Sequence, residues 1–97
     1  MIERDRRYDT IKPMLKDGKI HTFLDIFNYI PKSVVAADLG KKTVHFTKLM
    51  NRVDQFTLEE LFLIANFCNL STDEILSLVN KEYLKNKDKI EKSISPS

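Results

Sequence analysis

The sequence predicts an all-α fold: a compact bundle of five helices with a short helical segment before it. Apolar residues recur three and four positions apart along most of the chain, which is the spacing of one helix face. Helix-start signals precede two of these stripes, Thr57 with Glu60 and Ser71 with Glu74. Only two glycines and three prolines occur in the 97 residues, which argues against a β-rich or a disordered chain.

Residues 1–19 are predicted to form a charged arm that leads into a short helix. Residues 1–7 mix basic and acidic side chains and are expected to fray in solvent, with a basic arm reaching a DNA groove as the alternative. Pro13 fits the first helical turn if Thr10 is the cap, because an N–H at that position has no partner within the helix. The apolar face of the segment consists of Tyr8, Ile11 and Leu15.

Residues 22–30 are predicted to form the first helix of the bundle. Thr22 and Asp25 have the spacing of a capping box at its start. Pro31 ends the helix, because the residue before a proline is disfavoured in the α conformation. The apolar stripe of this helix consists of Phe23, Ile26, Phe27 and Ile30.

Residues 33–52 are predicted to form two helices joined by a tight turn, on the sequence SVVAADLGKKTVHFTKLMNR. We expect Ser33 to cap the first helix and Thr43 to cap the second. Gly40 lies between them, where a helix end commonly needs a positive φ. The buried faces are predicted to be Val35, Ala36 and Leu39 on the first helix, and Phe46, Leu49 and Met50 on the second.

Two further helices follow, at residues 57–69 and 71–84, each opened by a capping box. The first is predicted to be the central helix because its apolar surface is wide. Its buried face consists of Leu58, Leu61, Phe62, Ala65 and Cys68, widened by Ile64 and Phe67. The stripe of the last helix consists of Ile75, Leu78, Val79 and Tyr83. Residues 85–97 are predicted to be a basic, partly disordered tail.

The order of the small Ala36, a Leu-Gly pair ending at Gly40, and the apolar Phe46 six places later resembles the DNA-binding helix-turn-helix. With the surrounding helices, residues 20–80 resemble the lambda-repressor-like superfamily of phage repressors, Cro and small bacterial regulators. In that family the second and third of five helices form the motif. The chain is thus predicted to consist of a charged N-terminal arm with a short helix at 1–19, a helix-turn-helix domain at 20–84 and the basic tail at 85–97.

The resemblance implies that the second motif helix enters the major groove of double-stranded DNA. Base contacts are then implied for Lys42, Thr43, Val44, Thr47, Lys48 and Asn51. Phosphate contacts are implied for Lys32, Ser33, Lys41 and Arg52. His45 either faces a phosphate or lies against the first motif helix. Two residues depart from the family pattern: Lys41 follows the turn glycine where an apolar residue is usual, and Phe46 is larger than the usual valine or isoleucine.

Charge is unevenly distributed along the chain, although the net charge is only +2. Residues 31–52 carry five basic residues and a single acidic one, Asp38. Residues 53–80 carry five acidic residues and no lysine or arginine. A basic segment that coincides with the predicted motif suits a phosphate partner. The alternative is ordinary variation of charge between short segments.

The sequence does not indicate catalysis, metal binding or a membrane span. One cysteine allows no internal disulfide, and Cys68 is expected to be a small buried hydrophobic residue. His21, His45 and Cys68 lack ligand spacing, so neither a metal nor another cofactor is expected. Catalytic loops and nucleophile motifs are missing, and no enzyme activity is expected. The charged start and the lack of a run of roughly 20 apolar residues predict a soluble cytoplasmic protein without membrane contact.

The sequence therefore favours sequence-specific binding of double-stranded DNA, as a transcriptional regulator. Such proteins commonly dimerise to read two half-sites, so we expect a homodimer, with Tyr83 and Leu84 as the candidate dimer surface. The alternative is a protein-interaction module, antitoxin-like or an adaptor, that keeps the fold without binding DNA. The acidic segment 53–80, the low net charge and the departure at Lys41 favour this alternative. The operator, activation versus repression and a small-molecule effector are left open.

Overall fold

The structure, a computed structural model, describes residues 5–88 and residue 92. Within this part the chain forms helices and no β-strand, which confirms the predicted all-α class. The α-helices are α1 (Ile11–Lys16), α2 (Lys32–Asp38), α3 (Thr43–Asn51), α4 (Leu58–Phe67) and α5 (Thr72–Lys85). Short 3₁₀-helices span Arg6–Thr10, Phe23–Asn28 and Val53–Gln55. The predictions for residues 1–4 and for most of the tail after residue 88 lie outside the described residues.

Four phenylalanine rings form a cluster in the core, and α3 supplies one of them. The Phe46 ring of α3 lies 5.6 Å, between centroids, from both Phe27 and Phe56. Phe23 lies 5.5 Å from Phe27 and 5.4 Å from Phe56. All four pairs meet edge to face, which places the positive edge of one ring against the negative face of another. The cluster therefore joins the 3₁₀-helix Phe23–Asn28, α3 and the residues just before α4.

The N-terminal segment packs into the same core as the rest of the chain. Tyr8 and Ile11 are fully buried, and the Tyr8 ring lies 5.5 Å from the ring of Phe67. The Tyr8 hydroxyl donates a hydrogen bond to Asp38 Oδ2 at 2.6 Å. Burial and the neighbouring Asp38 carboxylate both raise the pKa of Tyr8. This contact ties the N-terminal segment to the last residue of α2.

The prediction of an α-helix over residues 22–30 is wrong in helix type, because the structure has a 3₁₀-helix at Phe23–Asn28. Its hydrogen bonds join residues three apart, as where the Tyr29 N–H donates to the Ile26 carbonyl at 3.0 Å. With three residues per turn, Phe23 and Ile26 lie one above the other, and both are fully buried. A spacing of three suits either helix type, so the apolar pattern did not separate them.

A buried carboxyl group from α5 supports this 3₁₀-helix. Glu82 is only 2% exposed, and no other charged side chain in the described part of the chain is buried. Its Oε1 accepts the backbone N–H of Leu24 at 2.9 Å, and its Oε2 accepts Nδ2 of Asn86 at 2.9 Å. The first N–H groups of a helix have no partner within it, so this carboxyl group satisfies one of them from another helix. Glu82 thereby fixes α5 against the 3₁₀-helix.

Replacing Glu82 with methionine is expected to lower the free energy of unfolding by about 1–3 kcal/mol, because the Leu24 N–H would remain buried without an acceptor. Methionine has a similar length, so lost packing contributes little to the change. Urea denaturation followed by circular dichroism measures the difference. The neighbouring exposed Lys81→Met is the control and should change stability by no more than about 0.5 kcal/mol. Equal midpoints for the two variants would show that the carboxyl group contributes no stability.

Both strong helix-start predictions are confirmed. The Thr57 N–H donates to Glu60 Oε1 at 2.9 Å, and the Glu60 N–H donates to Thr57 Oγ1 at 3.1 Å. The Ser71 N–H donates to Glu74 Oε1 at 2.8 Å, and the Glu74 N–H donates to Ser71 Oγ at 3.0 Å. The Ser71 N–H holds the pKa of the Glu74 carboxyl below its usual value. These two capping boxes fix where α4 and α5 begin.

One predicted core residue of α4 is exposed. Leu58, which was expected on the buried face with Leu61 and Ala65, is 59% exposed. Leu58 lies in the first turn of α4. The core at that end of the helix is filled by Phe56, which lies one residue before the cap Thr57. The remaining stripe of α4 is buried or half-buried as expected. Helical spacing therefore predicted the correct buried face of α4 but wrongly included its first turn.

Candidate nucleic-acid interface

Two short helices, α2 and α3, are joined by a turn at Gly40, as the sequence predicts. Gly40 has a φ of +74°, a conformation that side chains with a Cβ rarely adopt. The Lys41 N–H donates to the Ala36 carbonyl at 2.8 Å and so closes the end of α2. Ala36 on α2 and Phe46 on α3 are fully buried. The predicted turn and the predicted burial of Ala36 and Phe46 are therefore observed.

The predicted helix caps within the motif are wrong. Pro31, not Ser33, precedes α2, and Lys42, not Thr43, precedes α3. Neither helix start receives a side-chain cap hydrogen bond. The fixed φ of proline, here −61°, suits extended backbone just before a helix, so α2 begins at once after it. Thr43 instead lies in the first turn of α3, where its carbonyl accepts the Thr47 hydroxyl at 2.9 Å.

The outward face of α3 carries the residues expected to contact bases. Val44 is 66% exposed. Thr47 is partly exposed, with its hydroxyl proton used within the helix. His45 is exposed on α3. The other exposed members of the predicted base-contacting set are Lys42, Thr43, Lys48 and Asn51.

Of the residues predicted to contact phosphates, two are already paired with carboxylates of the same chain. Lys32 and Ser33 are exposed at the start of α2. Lys41 pairs with Glu60 of α4, and Arg52 pairs with Asp54. Among the described residues, by contrast, Lys32, Lys42 just before α3 and Lys48 on α3 have no ion-pair partner. Three lysines therefore carry the uncompensated positive charge of the motif.

The Lys41 ammonium lies against the Glu60 carboxylate, with the side chains only 23% and 16% exposed. Burial alone would raise the pKa of Glu60. The hydrogen bonds from Lys41 and from the Thr57 N–H outweigh burial and hold that pKa below its usual value. The carboxylate therefore stays ionised in neutral solution and keeps Lys41 beside it.

Arg52, the residue directly after α3, makes a two-pronged contact with Asp54. Arg52 Nε donates to Asp54 Oδ1 at 3.0 Å, and Nη2 donates to Oδ2 at 2.8 Å. This contact raises the pKa of Arg52 and lowers that of Asp54. The planar fork of the guanidinium is thus occupied by a carboxylate of the same chain. A phosphate contact by Arg52 would compete with Asp54.

Two carboxylates, Asp54 and Glu60, pair with basic residues of segment 31–52, and the sequence pattern did not predict either pair. Asp54 is only two residues from Arg52, so the sequence could have predicted this ion pair. Glu60 was identified as a cap partner, and nothing in the spacing indicated that its second oxygen meets Lys41. The Tyr8 contact with Asp38 was equally hidden, because the two residues are far apart in the chain.

No group of three or more His, Cys, Asp or Glu side chains suited to a metal ion occurs among residues 5–88 and 92. In the same part of the chain, no single helix has the length and apolar composition needed to cross a membrane. Only α4 and α5 taken together meet that requirement, and the chain bends by 116° between them.

Comparisons of this chain with known proteins give no relative. No protein-family model matches the sequence, and neither the curated proteins nor the solved structures yield a match. The likeness to the helix-turn-helix therefore rests on residues of this chain: Ala36, Gly40 and Phe46 at the predicted positions, and an exposed polar face on α3.

Proposed function

We propose that this protein binds double-stranded DNA through α3 and acts in the cytoplasm as a transcriptional regulator. One observation carries the proposal. The inward face of α3 is held in the core by Phe46 and Leu49, while its opposite face presents the unpaired Lys48 and Asn51 to solvent, with the unpaired Lys42 directly before the helix. A helix of nine residues fits the major groove of B-DNA, which is wide enough for one α-helix.

The exposed side chains of α3 and of Lys42 just before it offer the chemistry that base edges require. Lysine donates to O6 and N7 of guanine, a role open to Lys42 and Lys48. The amide of Asn51 can donate to and accept from the edge of an adenine. The methyl groups of Val44 suit the C5-methyl group of thymine. Mixed polar and apolar contacts of this kind confer sequence preference beyond attraction to phosphates.

We also propose that the protein binds DNA as a homodimer. One small motif makes few contacts, and two motifs bound to paired half-sites raise the overall affinity. Leu84 near the end of α5 is exposed and Tyr83 is half-buried, so both remain candidates for the dimer surface. Sedimentation of the protein with and without its selected duplex measures the stoichiometry.

Selection of bound duplexes from a random pool, at two salt concentrations, tests the proposed function. A DNA-binding regulator should enrich a shared sequence, and its affinity should fall linearly on a plot of log affinity against log salt. If the pool is not enriched at either salt concentration, the proposal is wrong.

Removal of one unpaired lysine should flatten the salt dependence of that binding. Lys42→Met and Lys48→Met are each expected to reduce the slope by about 0.9, if each side chain releases one counterion from a phosphate. A lysine that contacts only a base edge would instead relax sequence preference at one position. Lys81→Met on α5 is the control and should leave the slope unchanged. Arg52→Met should flatten the slope less than Lys48→Met, because Asp54 already neutralises Arg52.

The alternative function is a protein-interaction module, and one observation favours it. Leu58 and Leu63, both on α4, are 59% and 40% exposed. Exposed apolar side chains of this size are common singly, so they favour a partner only if no duplex is bound. A failed selection together with loss of a protein partner on Leu58→Ser and Leu63→Ser would support this function instead.

A further inference from the structure

Lys41 directly follows the turn glycine Gly40, and its backbone and its side chain make different contacts. Its backbone N–H donates to the Ala36 carbonyl at 2.8 Å, which closes the turn after α2. Its side chain reaches α4 and pairs with Glu60. The residue that follows it, Lys42, is the last one before α3 begins. Lys41 therefore lies at the junction of the turn, α3 and α4.

Glu60 uses both carboxylate oxygens at this junction. Oε1 accepts the Thr57 N–H at 2.9 Å, and Oε2 pairs with the Lys41 ammonium. The Glu60 N–H also donates to Thr57 Oγ1 at 3.1 Å, so the capping box holds the glutamate in place. An ammonium held by an anchored carboxylate has a restricted position, which an isolated surface pair would lack. The tie therefore connects the start of α4 to the turn that precedes α3.

We propose that Lys41 is a positioning residue for α3 and does not contact phosphate. Through Glu60 it fixes the backbone just before α3 and so the direction in which Lys42 and Val44 are presented. Its charge is neutralised by the carboxylate, so little of it acts at a distance on a phosphate. The expected effect of Lys41 on DNA binding rests on the proposed function. Its expected effect on the turn rests on the geometry alone.

Neutralising Glu60 distinguishes the two roles by the sign of the effect. If Lys41 contacted phosphate, Glu60→Gln would free that lysine, remove a negative charge and raise duplex affinity. If Lys41 positions α3, Glu60→Gln should lower affinity for the selected duplex by roughly tenfold, the effect of one lost charged hydrogen bond. Lys41→Met should lower affinity similarly while leaving the salt slope unchanged, whereas loss of a phosphate contact would flatten it by about 0.9.

A double-mutant cycle adds a readout that a general loss of stability would not reproduce. Because Lys41→Met and Glu60→Gln break the same tie, the double variant should lose no more duplex affinity than either single variant. The matched control cycle, Lys42→Met with Glu60→Gln, should be additive, since the ammonium paired with Glu60 belongs to Lys41 and not to Lys42. Additive losses for Lys41 and Glu60, or a rise in affinity with Glu60→Gln, would overturn the proposal.

Backbone amide exchange of the DNA-free protein tests the tie separately from DNA binding. Lys41→Met and Glu60→Gln should each accelerate exchange of the amide of residue 41 by roughly tenfold, with no further change in the double variant. Lys42→Met should leave that amide unchanged. If wild-type protein binds no duplex, the proposed function fails while accelerated exchange still supports the tie. Unchanged exchange in both single variants would overturn the positioning role.

Discussion

Phe46→Ala is expected to lower the free energy of unfolding by about 3–5 kcal/mol, more than any other single substitution proposed for α2 or α3. The ring is fully buried, and its centroid lies 5.6 Å from those of Phe27 and Phe56. Truncation removes the apolar contact and leaves a cavity that the neighbouring rings cannot fill. Urea denaturation measures the change, and duplex binding should fall with it because α3 loses its anchor.

Val44→Ala is the matched control, since Val44 belongs to the same helix and is 66% exposed. It should change the free energy of unfolding by no more than about 0.5 kcal/mol. If Phe46→Ala prevents folding, Phe46→Leu keeps the experiment informative, with a smaller loss expected from the same cavity argument. Equal stability of Phe46→Leu and wild type would contradict the packing of α3 against the phenylalanine cluster.

Ala36→Leu is expected to destabilise the protein by about 1–3 kcal/mol, because three extra carbon atoms would enter a fully buried position on α2, the helix that packs against α3. Ala36 has no exposed surface, so the larger side chain cannot turn into solvent. Relief requires α2 and α3 to separate, which would also move the exposed face of α3. We therefore expect loss of duplex affinity beyond the loss explained by the unfolded fraction.

The adjacent Ala37 provides the control for this overpacking. Ala37 is exposed on the same helix, so Ala37→Leu introduces the same side chain without a clash. Its effect should stay within about 0.5 kcal/mol of wild type. If Ala36→Leu is as silent as Ala37→Leu, then residues 33–52 do not pack as a helix-turn-helix.

Local sequence signals predicted the parts of the fold that depend on neighbouring residues. The capping boxes at Thr57 and Ser71 are present, because cap and partner lie only three residues apart. Gly40 has the positive φ expected of the turn. Errors arose where two local signals competed: Pro31 opens α2 ahead of the expected cap Ser33.

Contacts between distant residues were not predictable in the same way. Glu82 caps a 3₁₀-helix from 58 positions away, and Tyr8 reaches Asp38 across 30. Apolar periodicity shows which face of a helix is buried and does not show which polar side chain meets it. For the same reason the sequence predicts a phosphate contact for Lys41, although in the fold this lysine pairs with Glu60.

The sequence alone determined that the chain is helical, that a glycine turn separates α2 from α3, and that Phe46 faces inward. Those features follow from hydrophobic period, capping chemistry and backbone sterics, which act over a few residues. Only the tertiary structure decided which positive charges remain free beside α3. That outcome depends on which carboxylates the fold brings within a few ångströms, because an ion pair is set by distance in space and not along the chain.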